Sequence, residues 1–179
     1  MNLRIVMPLL TTAVLLGAGI GQAADQVGPA ANPLDAIPDK TPFSMPYGAP
    51  ISLQRAQAVA QAAVAEAAKR GWQLNVAVVD SGANLVAFLR MDGAQLASIA
   101  ISEHKARTAV KFRRPTKAFE DAVQKSDFKY VLTLDDVVAS RGGIPLVEDG
   151  KIIGAIGCSG GTGSQDEVAC AAAAAMIGK

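Results

Sequence analysis

The stretch Gly142–Ile177, GGIPLVEDGKIIGAIGCSGGTGSQDEVACAAAAAMI, combines a hairpin, a glycine-rich turn and a helix in one run. Two apolar segments, Ile144–Val147 and Ile152–Cys158, flank the polar sequence Glu148-Asp-Gly-Lys, in which Asp-Gly is a strong hairpin signal. The second segment is apolar at nearly every position, which predicts a strand that is covered on both faces. We therefore expect this hairpin at the centre of the fold.

The residues after this strand, SGGTGS from Ser159 to Ser164, predict a turn that leads into a helix. Ser164 is a suitable N-cap, and Asp166 and Glu167 then place negative charge in the first turn, where the helix dipole favours it. The helix itself is predicted from about Gln165 to Ile177. It is mostly alanine, so another backbone can approach it closely.

Gly160, Gly161 and Gly163 precede this predicted helix, and backbone amides at such a position can hold an anion. The spacing is neither a Walker nor a dinucleotide fingerprint, and the Walker lysine is absent. We therefore favour a structural turn, in which glycine provides conformations with positive φ, over a phosphate-binding loop.

The rest of the chain supplies further helices and a second hairpin. Ser52 is a predicted N-cap and Gly71 a predicted helix stop. The predicted elements are a helix from Ser52 to Arg70, a strand over 74–79, a turn over 80–84, a strand over 85–91, a helix over 95–111, a short helix over 116–124, a weak strand over 128–132 and a short helical or irregular connection over 133–140. This order predicts an α/β (α+β) domain with a central antiparallel sheet and helices packed on it.

Residues 1–23 have the pattern of a secretory signal peptide. Arg4 is the positive residue, residues 5–20 are the apolar core, and Gly21-Gln-Ala23 ends in small residues suitable for cleavage. The alternative is a membrane anchor, but the apolar run is short for a span. We predict a periplasmic or secreted protein, cleaved near Ala23 and without a stable membrane anchor.

Residues 24–50 are rich in proline, glycine, alanine and aspartate, which predicts an extended arm and no regular element. Phe43, Met45 and Tyr47 are apolar enough to dock this arm onto the domain or onto a neighbouring subunit. The alternative is a disordered leader. Residues 51–179 then form one domain.

The composition limits the classes of partner. Half of the residues are apolar but only 4% are aromatic, so the core must be built from Ala, Val, Ile and Leu. The formal net charge is +1, and removal of the predicted signal peptide with Arg4 leaves no net charge. There is therefore no electrostatic case for binding nucleic acid or an anionic membrane surface.

Cys158 and Cys170 are the only cysteines, and their spacing matches no metal-ligand pattern. A disulfide is chemically allowed outside the cytoplasm. We favour the alternative that both are small buried residues.

His104 is the only histidine, and it lies in SEHKART on the second predicted helix. On a helix, His104, Arg107 and Lys111 share one face, because they are three and seven positions apart. The imidazole can bind iron and the cations can pair with propionates, so this face is a candidate haem site with His104 as the iron ligand. The alternative is an ordinary solvated helix face.

Three segments resemble the HbpS/GlcG-like family of haem-binding and haem-degrading-type domains. They are Leu74–Ala94 (LNVAVVDSGANLVAFLRMDGA), Ile101–Phe112 (ISEHKARTAVKF) and Gly142–Ala171. The same module occurs at the C-terminus of some cobalamin adenosyltransferases. The resemblance implies a profilin-like sandwich that assembles into homo-oligomers.

The resemblance also implies haem as the cofactor. The candidate cofactor-binding residues are His104, Lys105, Arg107, Thr108, Lys111 and Arg90. Arg90 and Lys105 could line a pocket for a carboxylate-bearing ligand, or they could form ion pairs between subunits.

The sequence therefore predicts an exported haem-binding protein that captures, buffers or senses haem. One alternative is an enzyme that degrades haem or acts on another small molecule, although no nucleophile or general acid/base pair with an orienting partner is evident. Another alternative is an oligomeric accessory protein that binds a corrinoid or a small organic acid.

Overall fold

Residues 36–40 and 43–178 are described by a computed structural model of the protein. The predicted signal peptide and most of the predicted arm lie outside these residues. Residues from Lys40 onward form a compact unit of their own. No helix in the described part of the chain is both long enough and apolar enough to cross a membrane.

Four helices and four strands make up this unit. They are α1 (Leu53–Lys69), β1 (Asn75–Asp80), β2 (Leu85–Arg90), α2 (Ala97–Lys111), α3 (Lys117–Lys125), β3 (Gly143–Glu148), β4 (Lys151–Ser159) and α4 (Gly163–Ala174), with a 3₁₀ helix at Lys129–Thr133. The strands form one antiparallel sheet in the order β2-β1-β4-β3. The predicted α+β class with a central antiparallel sheet is confirmed.

The sheet is covered on both faces. Val76 and Val78 of β1 pack in one apolar cluster with α1 and α4. Ala77 and Val79, which point to the other face, pack in a second cluster with α2. Residues 76–79 of β1 are consequently all apolar, as expected for a strand covered on both sides.

Two details of the predicted elements are wrong. The weak strand over 128–132 is instead a 3₁₀ helix, because its backbone bonds locally, with the Val131 amide donating to the Phe128 carbonyl. The N-cap of α4 is Thr162 and not Ser164. The Thr162 hydroxyl accepts from the Gln165 amide, and the Gln165 side chain accepts from the Thr162 amide, which is a capping box. The helix therefore begins at Gly163, and it ends at Ala174.

Cys158 and Cys170 form a disulfide that joins β4 to α4, so the preference for two unpaired cysteines is wrong. Both residues are fully buried, as expected. The alanine-rich helix lies close enough to the strand to bring the two Cα atoms within 5.8 Å, a separation that a disulfide can bridge.

The described end of the arm packs on the domain. The Gly48 amide donates to the Ile152 carbonyl, and the Ile152 amide donates to the Pro46 carbonyl. The Tyr47 hydroxyl lies 3.1 Å from the carbonyl oxygens of Val110 and of Lys111, at the end of α2. The arm is thus attached both to β4 and to α2.

Candidate functional site

The outward side of α2 carries the predicted iron ligand and two predicted cations. His104 and Lys111 are exposed and Arg107 is half-buried. The Arg107 guanidinium pairs with Glu103 at 3.2 Å, and the Lys111 ammonium pairs with Asp136. We call the surface formed by His104, Arg107 and Lys111 the α2 face.

Asp136 is a member of this face that sequence reasoning missed. The Thr108 hydroxyl donates to the Asp136 carbonyl and accepts from the Val138 amide at 3.1 Å, which fixes this segment beside α2. The hydrogen bond from Lys111 lowers the pKa of the Asp136 carboxyl, and the charges of His104 and Arg107 act in the same direction. The sequence around Asp136 has no local pattern that predicts a contact with α2, which lies much earlier in the chain.

Lys105 does not lie on the α2 face, although it was predicted as a site residue. It points from α2 into the interior, is 1% exposed and forms an ion pair of 2.8 Å with the equally buried Asp166. Burial raises the pKa of the Asp166 carboxyl, against the opposing effects of the Lys105 ammonium and of the amides of Gly161 and Gly160. The pair therefore holds α2 to the start of α4, within one chain and not between subunits.

Thr108 is also turned inward. It is fully buried, and its hydroxyl makes the two contacts with the backbone of 136–138 described above. Its place is between α2 and that segment, so it supports the α2 face without being exposed on it.

The anion that the glycine-rich turn binds is the side-chain carboxylate of Asp166, from the same chain. The Gly161 amide donates to the Asp166 carboxylate at 3.1 Å. Gly142 faces the same pair, and a Cβ there would lie 2.7 Å from Cβ of Asp166 and 3.2 Å from Nζ of Lys105. These contacts agree with a structural turn rather than a phosphate-binding loop.

Arg90 lies apart from the other predicted site residues. It ends β2 and lines a cleft between β2 and the C-terminal end of α1. Helix α1 packs on one face of the sheet and α2 on the other. Within residues 36–40 and 43–178, no ion pair or side-chain hydrogen bond joins Arg90 to His104, Arg107 or Lys111.

The donor chemistry of the α2 face suits haem in part. Its imidazole is exposed and can bind iron, and two cations on the same helix can pair with propionates. In the described part of the chain, no group of three or more His, Cys, Asp or Glu residues is arranged to hold a metal ion. His104 would consequently bind iron as a lone side-chain ligand, and both cations would have to exchange their present carboxylate partners.

Comparison with known proteins identifies relatives across the whole domain. A family model described as "Haem degrading protein HbpS-like" matches residues 51–175. The protein GlcG of Escherichia coli K12 is 43% identical over 109 residues, which cover 61% of this chain and 81% of GlcG. The corrinoid adenosyltransferase PduO of Salmonella typhimurium is 35% identical over 120 residues, which are 65% of this chain but 36% of PduO.

Solved structures show the same fold. A crystal structure of Streptomyces reticuli HbpS with two substitutions matches with a TM-score of 0.66 and 32% identity, over 84% of this chain and 100% of that one. A crystal structure of a PduOC–haem complex matches with a TM-score of 0.65 and 30% identity, over 72% of this chain and 95% of that one.

Proposed function

The chain belongs to the HbpS-like family, and from this premise we propose that it is a haem-binding protein. The observation that carries the proposal is the α2 face, where an exposed imidazole stands on the same side of a helix as two cations. The PduOC–haem complex supports it, because a relative of the same fold holds haem. When bound, the haem would supply a redox-active iron.

In this proposal the chain's own residues bind and orient the haem. His104 would bind the iron through a ring nitrogen, and Arg107 and Lys111 would pair with the propionates. Lys111 is already paired with Asp136, so binding replaces one carboxylate partner with another. Leu132 and Leu134, which are exposed on the segment that carries Asp136, offer apolar surface for the porphyrin.

We further propose that the protein acts outside the cytoplasm, in the capture, buffering or sensing of haem. The signal-peptide pattern of residues 1–23 supports export. The Cys158–Cys170 disulfide supports it independently, because such bonds persist in oxidising compartments.

The α2 face is open, so one chain would leave one side of a haem exposed. We therefore propose that the protein is a homo-oligomer in which a second copy covers the ligand. Sedimentation with and without hemin tests this proposal. A species that stays monomeric under both conditions would contradict it.

The test of haem binding is a hemin titration of the cleaved protein, followed in the Soret region. We expect a saturable band for the wild type, and for His104→Ala a band that is shifted in position and weaker in affinity. Lys69→Ala, an exposed cation on α1, is the matched control and should behave as wild type. A wild type without a saturable band would refute haem binding, and an unchanged band in His104→Ala would refute His104 as the ligand.

The description of the family model as haem-degrading favours a second candidate, which is enzymatic. A reductant then separates the two functions. In the presence of dioxygen, a binding protein shows only the change that reduction of the iron produces and then a stable haem spectrum, whereas a haem-degrading enzyme loses the haem bands with time. Titration with a cobalamin tests the corrinoid alternative, which the similarity to part of PduO favours.

A further inference from the structure

The cleft beside Arg90 lies on the α1 side of the sheet, away from the α2 face. It has a volume of about 560 Å³, within the range of roughly 300 to 1,000 Å³ that is typical of small-molecule sites. Helix α1 contributes Val64 and Ala68, and the end of β2 contributes Leu89, followed by Met91. These four side chains form an apolar floor at the margin of the core.

One wall of the cleft is Trp72, and a tight turn fixes its position. After the last residues of α1, the amide of Gly71 donates to the carbonyl of Ala68 and the amide of Trp72 to that of Ala67. This is the Schellman pattern, and Gly71 has the positive φ of 70° that it requires. The Arg70 guanidinium lies over the indole ring, 5.2 Å from its centroid. The ring is therefore held from two sides.

The polar rim of the cleft carries two opposite charges. Arg90 and Asp92 both line it and are exposed. Neither of them forms an ion pair or a side-chain hydrogen bond within residues 36–40 and 43–178, whereas Arg70, over the Trp72 ring, is paired with Glu66 at 2.8 Å. A simple anion would be repelled by Asp92 and a simple cation by Arg90, so the charges together favour a ligand that has one of each sign.

We propose that this cleft binds a free amino acid with a large apolar or aromatic side chain. Arg90 pairs with its carboxylate, Asp92 pairs with its ammonium group, and its side chain lies on the floor against Trp72 and Met91. The apolar lining provides affinity for the side chain, and the two charges fix its orientation. This inference does not depend on haem binding, because the α2 face is on the other side of the sheet.

The fluorescence of Trp72 tests the proposal directly, because it is the only tryptophan of the chain. Excitation at the red edge of tryptophan absorption avoids both the tyrosines and added phenylalanine. We expect L-phenylalanine to produce a saturable change in emission. N-acetyl-L-phenylalanine lacks the ammonium charge and L-phenylalaninamide lacks the carboxylate, so each should bind about tenfold more weakly or worse. L-alanine lacks the large side chain and should also bind weakly.

Two variants test which side chain pairs with which charged group of the ligand. In Arg90→Gln, phenylalanine should bind about tenfold more weakly, and it should no longer be preferred over its amide. In Asp92→Asn, phenylalanine should no longer be preferred over its N-acetyl derivative. Lys151→Gln and Asp127→Asn are matched controls at exposed sites away from the cleft, and both should behave as wild type.

Three results would overturn the proposal. One is the absence of a saturable response to phenylalanine in the wild type. Another is a response that the blocked analogues and the two variants reproduce without loss of affinity. The third is a Trp72 emission that changes with protein concentration and not with phenylalanine, which would mean that a second copy of the chain covers the cleft.

Discussion

The α2 face and the cleft beside Arg90 are two surfaces of one small domain, and each has features that the other lacks. The α2 face has an imidazole and two cations, but it is an open helix surface. The cleft has an apolar floor and an aromatic wall, but it has neither histidine nor cysteine. The comparison shows that metal-binding chemistry and a concave apolar surface come from different parts of this sequence.

The two surfaces also rest on different supports. Behind the α2 face lies the buried Lys105–Asp166 pair, which ties the helix to the glycine-rich turn. Behind the cleft lie the Gly71 turn and β2, which is an edge strand of the sheet. A substitution in the residues behind one surface should therefore leave the other surface intact, provided that the domain remains folded.

The largest expected effect is at the buried pair. Asp166→Ala leaves the Lys105 ammonium buried without a partner, and we expect it to lower the free energy of unfolding by about 3–5 kcal/mol. Urea denaturation measures the change. The double variant Lys105→Met, Asp166→Leu removes both charges and should recover most of the loss.

The exposed pair on the outer side of α2 provides the control. Lys111→Ala breaks the pair with Asp136 and should have a far smaller effect, because both side chains are more than 40% exposed. If Asp166→Ala were as stable as Lys111→Ala, the buried pair would not support the α2 face.

The disulfide should have the next largest effect. It closes a short loop between β4 and α4, on the side of the sheet that also carries the cleft. Replacing both cysteines by alanine should lower the free energy of unfolding by about 2–4 kcal/mol. A reductant should destabilise the wild type and leave the double variant unchanged. An equal response of both proteins to the reductant would contradict the assignment.

Gly71→Ala should alter the cleft and leave the α2 face unchanged. The left-handed conformation of Gly71 disfavours a side chain, so we expect a loss of about 1–2 kcal/mol together with a shift of Trp72 emission. Gly150→Ala is a matched control, since Gly150 has nearly the same φ and equally open surroundings in the β3–β4 turn. It should lose similar stability without the shift. Hemin binding should be the same in both variants.

The smallest effect is expected on the α2 face. Asp136→Asn frees Lys111 from its present partner, so hemin should bind roughly threefold to tenfold more tightly, a difference of about 1 kcal/mol. Soret titrations of the variant and of wild type measure the ratio. Weaker hemin binding in the variant would mean that Asp136 supports the site and does not compete with it.

The same carboxylate predicts a dependence on pH. Because Lys111 lowers the folded-state pKa of Asp136, the contribution of this pair is present above the ordinary aspartate range, near pH 4. It is lost as the pH falls through the lowered folded-state pKa. Urea midpoints measured between neutral and acid pH should therefore fall less in Asp136→Asn than in wild type.

The sheet and its helices were predictable because their apolar residues recur with regular spacing, and the hairpin turns are local signals. Lys105 and Asp166 were not recognised as a pair, because each had a sufficient local explanation. Lys105 belonged to a basic helix, and Asp166 suited the first turn of α4. Their partnership depends on how α2 lies across the sheet, which no local pattern specifies.

The candidate sites were predictable to different degrees. The α2 face follows from helical spacing alone, whereas the sequence left Arg90 open between lining a pocket and pairing with a neighbouring subunit. The other residues that line the cleft come from the end of α1, the turn after it and the edge strand β2. No single sequence motif includes all of them. The disulfide was missed for a similar reason, since spacing along the chain does not reveal how closely α4 approaches β4.

The attachment of the arm has a consequence for the order of folding. Residues 46–48 bond to Ile152, and Tyr47 contacts the end of α2, so this early segment depends on partners made much later in synthesis. Contacts between such distant parts of a chain carry a large loop-closure cost and form late. The arm can pack on the domain only after β4 has formed. Protection of the arm from a protease therefore indicates that the whole domain has folded.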